Sequence, residues 1–389
     1  MKSLLINMPL GHMANDWAPG AIWILAPAIA ANMGLSPSEL GLLLTIHYVG
    51  ASLGYLPAGI LSDRVSHQGR LLAMTFWWVA IGYVLASFAP GFWSLAILLA
   101  IAGMGDAAWH PIATGVLVEQ MPKRRGMVLG IHAMGGTLSE VGAPLMVGFL
   151  LSFLDWRATL QLTVIPAVCM GIVFIFYAKR IPVSAAKAVT KMELRDISKR
   201  WLRPAGITLV LMIAIYNMAL MSLMSMTPLF LQQSLGYTAA IAGVVFASSM
   251  LLGSLLQPVI GRYSDGADRN LVFMVGSTGA IVCSIVAFLS GQSLIIVAAL
   301  ILNMALLVSI RSSVLASAVE YAGKRAATTL GFVFVVLDGV GALGALMAGY
   351  VGETGLQNVF WLAACLSALS IVLSCVIYFQ KKNQHFVEV

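Results

Sequence analysis

The sequence predicts an all-α polytopic membrane protein: twelve transmembrane helices arranged as two pseudo-symmetric halves of six. Three observations predict it. The chain has 389 residues, of which 60% are hydrophobic and 10% charged, and its mean hydropathy is +0.94. A soluble domain carries about 25% charged residues to cover its surface. Apolar stretches of spanning length recur along the whole chain. Basic residues gather in alternate loops.

The spans are predicted at residues 5–32, 38–61, 70–88, 91–119, 126–150, 156–179, 204–233, 238–260, 271–289, 292–319, 326–349 and 356–379. They are read as helices because hydrocarbon leaves backbone groups no outside partner, and barrel strands would show short alternating segments. Met1 to Leu10 runs straight into the first span without a small-residue cleavage pattern, so no cleaved signal is expected. Arg64, Arg70, Lys123, Arg124, Arg125, Arg262, Arg269, Lys324 and Arg325 fall in one set of loops, with Lys381 and Lys382 in the tail. The opposite set offers Arg157. This asymmetry predicts a plasma-membrane protein, a bacterial inner-membrane one, with both termini cytoplasmic. It also assigns the net charge of +7 to orientation and contact with membrane lipids, not to nucleic acid. Cys169, Cys283, Cys365 and Cys375 are scattered through apolar spans and read as packing residues.

A polar, basic segment at 180–203 divides the chain into a bundle at 1–179 and a second bundle plus short tail at 204–389. The halves echo each other. Gly59-Ile60-Leu61-Ser62-Asp63-Arg64 follows span two, and Gly261-Arg262-Tyr263-Ser264-Asp265 follows span eight at the same offset. Pro27 and Pro228, and His110 and Arg311, fall close to that offset. A repeated six-span unit is how many secondary transporters build a substrate site between two halves.

The loop from Gly59 through Asp63 and Arg64 to Arg70 resembles the signature loop between helices two and three of the major facilitator superfamily. The usual glycine after the arginine is displaced and the basic cluster is thin. The resemblance covers essentially the whole chain and implies the major facilitator fold. It implies that Asp63, flanked by Arg64 and Arg70, sits between the halves as a conformational gate, with Gly59, Gly261 and Asp265 in the paired loops. Gly11-His12-Met13-Ala14-Asn15-Asp16, with Gly103-Met104-Gly105 and His110-Pro111, resembles fosmidomycin-resistance-type exporters. Helix five, with His132, Gly135, Gly136, Glu140, Gly142 and Pro144, resembles the glycine-rich motif of the superfamily's exporters, although Ala143 interrupts its Gly-Pro pair.

The charges inside apolar spans carry the functional argument, because lipid tolerates them only against protein, a cavity or one another. His12 and Asp16 share one helix face, and Asp106 and His110 repeat that spacing in span four. Either pair can hold a proton or substrate, or form a polar clasp with Asn15. The resemblance places spans one, four, seven and ten around the cavity. Arg311 in span ten suits a carboxylate, phosphate or phosphonate, and left unpaired it costs roughly 3 kcal/mol. If spans four and ten face each other, Asp106 is its expected partner. Glu140 is a gate or proton candidate toward the outer half. Asp338, among the glycines of span eleven, is expected to bind a proton or to pair with a histidine. Trp109 ranks first among the aromatic candidates, ahead of Trp17, Trp23, Trp77 and Trp78, because it adjoins Asp106 and His110. Tyr216, Asn217 and the methionines between Met218 and Met226 offer an adaptable wall. His47 reads as structural.

These residues predict a secondary active transporter working by alternating access, with a small-molecule substrate, protons as coupling ion and a functional monomer. Proton-coupled export of a small amphipathic or anionic compound leads. Import by symport and a non-transporting receptor stay open. No catalytic residue, cofactor or metal is expected: there is no phosphate-binding Gly-rich Lys-Ser/Thr loop and no zinc-protease His spacing.

Overall fold

The computed structural model describes residues 2–121, 124–181, 199–266, 268–322 and 331–387. Most of the expected linker (182–198) lies outside the described residues, as do Lys123, Lys324 and Arg325 and the side chains of Asp63, Arg125, Lys381 and Lys382. The described residues are helical and contain no strand. Eleven helices among them are long and apolar enough to cross a membrane. Helix α1 (Lys2–Met33) is a further helix of 32 residues, made more polar by Asn7, His12, Asn15 and Asp16.

The second span is broken into α2 (Pro37–Ser52) and α3 (Tyr55–Arg64) at Leu53–Gly54. Single helices α4 (Gln68–Ser87), α5 (Phe92–Gln120) and α6 (Arg125–Leu150) follow as spans three, four and five. Span six divides into α7 (Trp156–Thr163) and α8 (Ile165–Tyr177), where Pro166 opens the second piece. Spans seven to ten are α9 (Pro204–Gln233), α10 (Ala239–Gly266), α11 (Arg269–Leu289) and α12 (Ser293–Ala322). Span eleven contains a π-helical turn at Val335–Val340 and then α13 (Leu343–Gly352). Span twelve is α14 (Asn358–Val387).

Local chemistry marks the ends. Ser36 and Glu39 form a reciprocal capping box on α2, and Asp155 and Asp268 cap α7 and α11. Gly34 (φ 67°) and Gly236 (φ 69°) turn the chain after spans one and seven, where a Cβ would be strained. They stand at the same offset as Gly59 and Gly261, so the repeat extends to a backbone conformation that residue matching had not revealed.

Helices before Ile181 pack mainly on one another, as do those after Pro204, and α2 with span eleven, α6 with α10 and α1 with α9 join the two groups. The joining contacts reach the loops expected outside. Ser38 N–H donates to Glu353 Oε1 at 2.9 Å, and Thr45 Oγ1 donates to the Ala342 carbonyl at 2.9 Å. At Gly41 an added Cβ would stand 2.4 Å from the Ala345 carbonyl oxygen, so glycine sets how closely spans two and eleven approach. Trp23 stacks on Tyr48 at 4.7 Å and on Phe246 at 6.3 Å, carrying the apolar core from one group into the other.

Candidate functional site

Two polar clusters lie at the middle of the helices. The first collects the expected His12/Asp16 and Asp106/His110 pairs into one network. His12 Nε2 is 3.1 Å from Asp16 Oδ2, one turn along α1. His110 Nε2 lies 3.8 Å from Asp16 Oδ1 and 4.0 Å from Asp106 Oδ1. Asn15 Nδ2 donates to Asp106 Oδ1 at 2.7 Å and to its carbonyl at 3.2 Å. His12 Nδ1 is 2.8 Å from the His132 carbonyl. A carbonyl only accepts, so Nδ1 carries the hydrogen. The His12 ring stacks on His132 at 4.3 Å and meets His110 edge-on at 5.1 Å. The close approach of α6 needs Gly136, whose Cβ would stand 3.0 Å from the His12 ring.

The second cluster joins the two groups of helices. Tyr55 Oη, from α3, donates to Asp338 Oδ2 at 2.5 Å, and Arg311 Nη2 stands 3.8 Å from Asp338 Oδ1. This corrects the expected Asp106–Arg311 pairing. Asp106 faces α1 and is held by Asn15, while the π-turn presents Asp338 to Arg311. It also corrects the expected histidine partner for Asp338: tyrosine and arginine take that place. The Arg311 and Asp338 side chains remain 27% and 15% exposed. Glu140 is half-buried, makes no hydrogen bond or ion pair with a described residue, and lies within electrostatic range of Arg311, Asp16 and His12.

Other expected site residues occupy different places. Trp109 is fully buried, packed against Phe76 and Phe174 with centroids at 4.8 and 5.7 Å. It is a core residue because its ring points into the bundle from the opposite side of α5. His132 is buried beneath His12. Tyr216 is buried and donates to the Leu307 carbonyl. Asn217 is buried and donates to the Leu337 carbonyl at 2.6 Å, while Thr45 caps Ala342. Both are needed because a π-turn disturbs the ordinary carbonyl pairing of the helix. Tyr216 and Asn217 therefore brace helices and do not form an open wall. His47 is buried and bonds to Tyr83 Oη at 2.8 Å, in keeping with its structural reading.

Tyr55 was missed as a candidate. Its signal was weak: one tyrosine in an apolar stretch, given meaning only by Asp338 from the other group of helices. The residues expected to act as a gate are dispersed. Gly59 faces Pro111, Arg64 and Arg70 are exposed, and the Asp63 side chain lies outside the described residues. Asp265, beyond Gly261, pairs with Arg269 at 3.1 Å, and Arg269 also meets Glu320 at 2.5 Å. That network ties neighbouring spans of the second group together.

Comparison with known proteins bears on the family and the fold. The family model described as Major Facilitator Superfamily matches residues 10–345. A putative metabolite transport protein of Haemophilus influenzae is 25% identical over 95% of this chain and 93% of its own length. A probable 4-methylmuconolactone transporter of Cupriavidus pinatubonensis is 32% identical over 37% of this chain and 34% of its own. In fold, the chain matches the crystal structure of a bacterial homologue of the human lysosomal transporter Spinster, inward-facing and unoccupied, with TM-score 0.76 and 18% identity over 97% of this chain and 95% of that one. It also matches the peptide transporter POT in complex with sulfate, with TM-score 0.79 and 14% identity over 98% and 94%. The chain is thus a multi-pass membrane transporter, not an enzyme, and it belongs to the major facilitator superfamily.

Proposed function

We propose that this transporter carries a small organic anion together with a proton, with Arg311 anchoring the anion and Asp338 taking the proton. The observation that supports this is the loose Arg311–Asp338 pair bridged to the other half by Tyr55. An incoming carboxylate or phosphonate can take the guanidinium with two hydrogen bonds. Asp338 would then be a charge of low exposure without its cation, and removing one partner of a buried pair costs about 3–5 kcal/mol. A proton on Asp338 removes that charge. Anion and proton therefore favour each other's binding, the linkage that co-transport requires. Protonation also weakens Tyr55's hydrogen bond to Asp338, which releases one tie between the halves.

The surroundings of the site fit this cycle. The contacts at Ser38–Glu353 and Gly41 fit a carrier resting closed on its outer face. The complete Arg311–Asp338–Tyr55 site lies within one chain, so a monomer suffices. The two moving halves are 1–179 and 204–389, in a bacterial inner membrane with both termini cytoplasmic, as the basic loops imply. Proton-coupled export is the second reading, favoured by the resemblance of the Gly11–Asp16 motif to fosmidomycin-resistance-type exporters. A small organic substrate accords with the putative metabolite transport protein and the probable 4-methylmuconolactone transporter among its relatives, whose names give no direction of transport.

The test is transport in proteoliposomes across a panel of radiolabelled organic acids. An inward proton gradient should drive accumulation of a substrate. Arg311→Ala should reduce transport at least tenfold, and Asp338→Asn should keep anion exchange but lose acceleration by the gradient. Expulsion under the same gradient would establish antiport instead. Transport indifferent to pH would remove proton coupling from the reading.

A further inference from the structure

The cluster at His12 is not used by the Arg311 cycle. We propose that His12, Asp16 and His110 form a binding site for a borderline divalent transition-metal ion of the Zn²⁺ class.

Three donor atoms converge there from two helices. His12 Nε2, a carboxylate oxygen of Asp16 and His110 Nε2 lie within 4.8 Å of one another. Some point between such atoms lies within about 2.8 Å of all three, at most about 0.7 Å beyond a Zn–N bond. Small side-chain rotations close that gap. The two Asp16 oxygens each face one imidazole, Oδ2 at 3.1 Å from His12 Nε2 and Oδ1 at 3.8 Å from His110 Nε2. Two ligands on a tetrahedral zinc stand about 3.4 Å apart.

The outer contacts prepare these donors. The His132 carbonyl holds the hydrogen of His12 on Nδ1, so the Nε2 of the neutral ring presents its lone pair. Metal-bound histidines are oriented in this way, with the second nitrogen donating to a carbonyl or carboxylate. Here Nε2 faces Asp16 Oδ2, itself an acceptor, and two acceptors 3.1 Å apart require a positive species between them. A proton can sit there. It cannot also engage His110, whose Nε2 is 3.8 Å from Asp16 Oδ1, beyond hydrogen-bond distance. A metal ion spans both gaps. Asp16 Oδ1 is moreover buried and receives no N–H hydrogen bond among the described residues; the carboxyl of Asp106 is also within hydrogen-bonding range of Asp16.

The donor set chooses the metal class. Two imidazoles and one carboxylate suit Zn²⁺ or Co²⁺, whereas Mg²⁺ and Ca²⁺ prefer all-oxygen shells. The carboxylate of Asp16 offsets part of a dication's charge, and the Asp106 carboxyl lies 4.0 Å from His110. His12, Asp16 and His110 keep 12–21% of their side-chain surface accessible. Sequence spacing hid this site. Each helix supplies only an i, i+4 pair, and the third ligand comes from the neighbouring helix.

The experiment uses the full-length protein, purified through a tag without histidines and stripped of metal. Zn²⁺ is titrated calorimetrically, and Co²⁺ is followed through the visible absorption of tetrahedral cobalt. We expect one ion per chain, with affinity at least tenfold weaker in each of His12→Ala, Asp16→Asn and His110→Ala. His67→Ala, at an exposed loop position, should bind as the parent does. His110→Gln replaces any alanine variant that loses its cooperative thermal transition. Arg311→Ala should retain full metal binding even where it abolishes transport, which keeps this test separate from that of the anion site. Absence of saturable binding, or unchanged binding in the His12→Ala/His110→Ala double variant, overturns the proposal.

Discussion

Trp109 shows how a side chain beside two charged residues can be structural. It neighbours His110 in sequence, yet its ring is fully buried between Phe76 and Phe174. Its indole Nε1 has no hydrogen-bond partner among the described residues, so the ring acts through apolar packing alone. Removing it should leave a cavity. Trp109→Ala is expected to destabilise the bundle by about 3–5 kcal/mol. A lowered thermal midpoint with unchanged substrate affinity in the folded fraction would identify that role; weaker affinity at unchanged stability would return Trp109 to the binding surface. Asn217 acts similarly. Its buried amide answers the Leu337 carbonyl beside the π-turn that carries Asp338.

Among the elements, span eleven departs furthest from a regular helix. Its π-turn carries Asp338, and its following helix closes against span two. That closure depends on Gly41 and on Glu353, which accepts from Ser38 N–H. The Ser38 backbone bond, followed by the Ser36 and Ser38 hydroxyls, holds the Glu353 carboxyl below the usual carboxylate range. A lowered pKa means that the contact favours the ionised form. The contact is complete at neutral pH and is lost as the outer solution is acidified through that lowered value. Gly41→Val and Glu353→Ala should both loosen the outer closure. A cysteine introduced as Ser38→Cys should then react severalfold faster with a membrane-impermeant maleimide, and acidification should speed its exposure in the parent, read after correction for thiolate fraction. Unchanged labelling in both variants would place the closure elsewhere.

At the scale of the whole molecule, the repeat and the charge pattern work together. Gly34 and Gly236 adopt the same left-handed turn in corresponding positions, so the two halves repeat in conformation as well as in sequence. Their contacts through α2 with span eleven, α6 with α10 and α1 with α9 give surfaces on which one half can rock against the other. The basic loops predict an orientation with both termini cytoplasmic. A reporter protein that fluoresces only in the cytoplasm should light up when fused at either end, and one fused between spans one and two should stay dark. The opposite pattern would invert the transporter and exchange its inner and outer faces.

The sequence by itself determined the spans, their helical character, the repeat and the candidates for mid-membrane chemistry. Each follows from a local cost: uncovered backbone or unpaired charge in hydrocarbon, and hence regular apolar lengths with few exceptions. The i, i+4 pairs His12/Asp16 and Asp106/His110 were legible because one helix face sets their separation. Tertiary structure alone decided their merger into one network, the replacement of Asp106 by Asp338 beside Arg311, and the entry of Tyr55. Those outcomes depend on helix rotation, on the register of neighbouring spans and on a π-turn. Side-chain packing across the bundle sets all three, and no spacing along the chain encodes them.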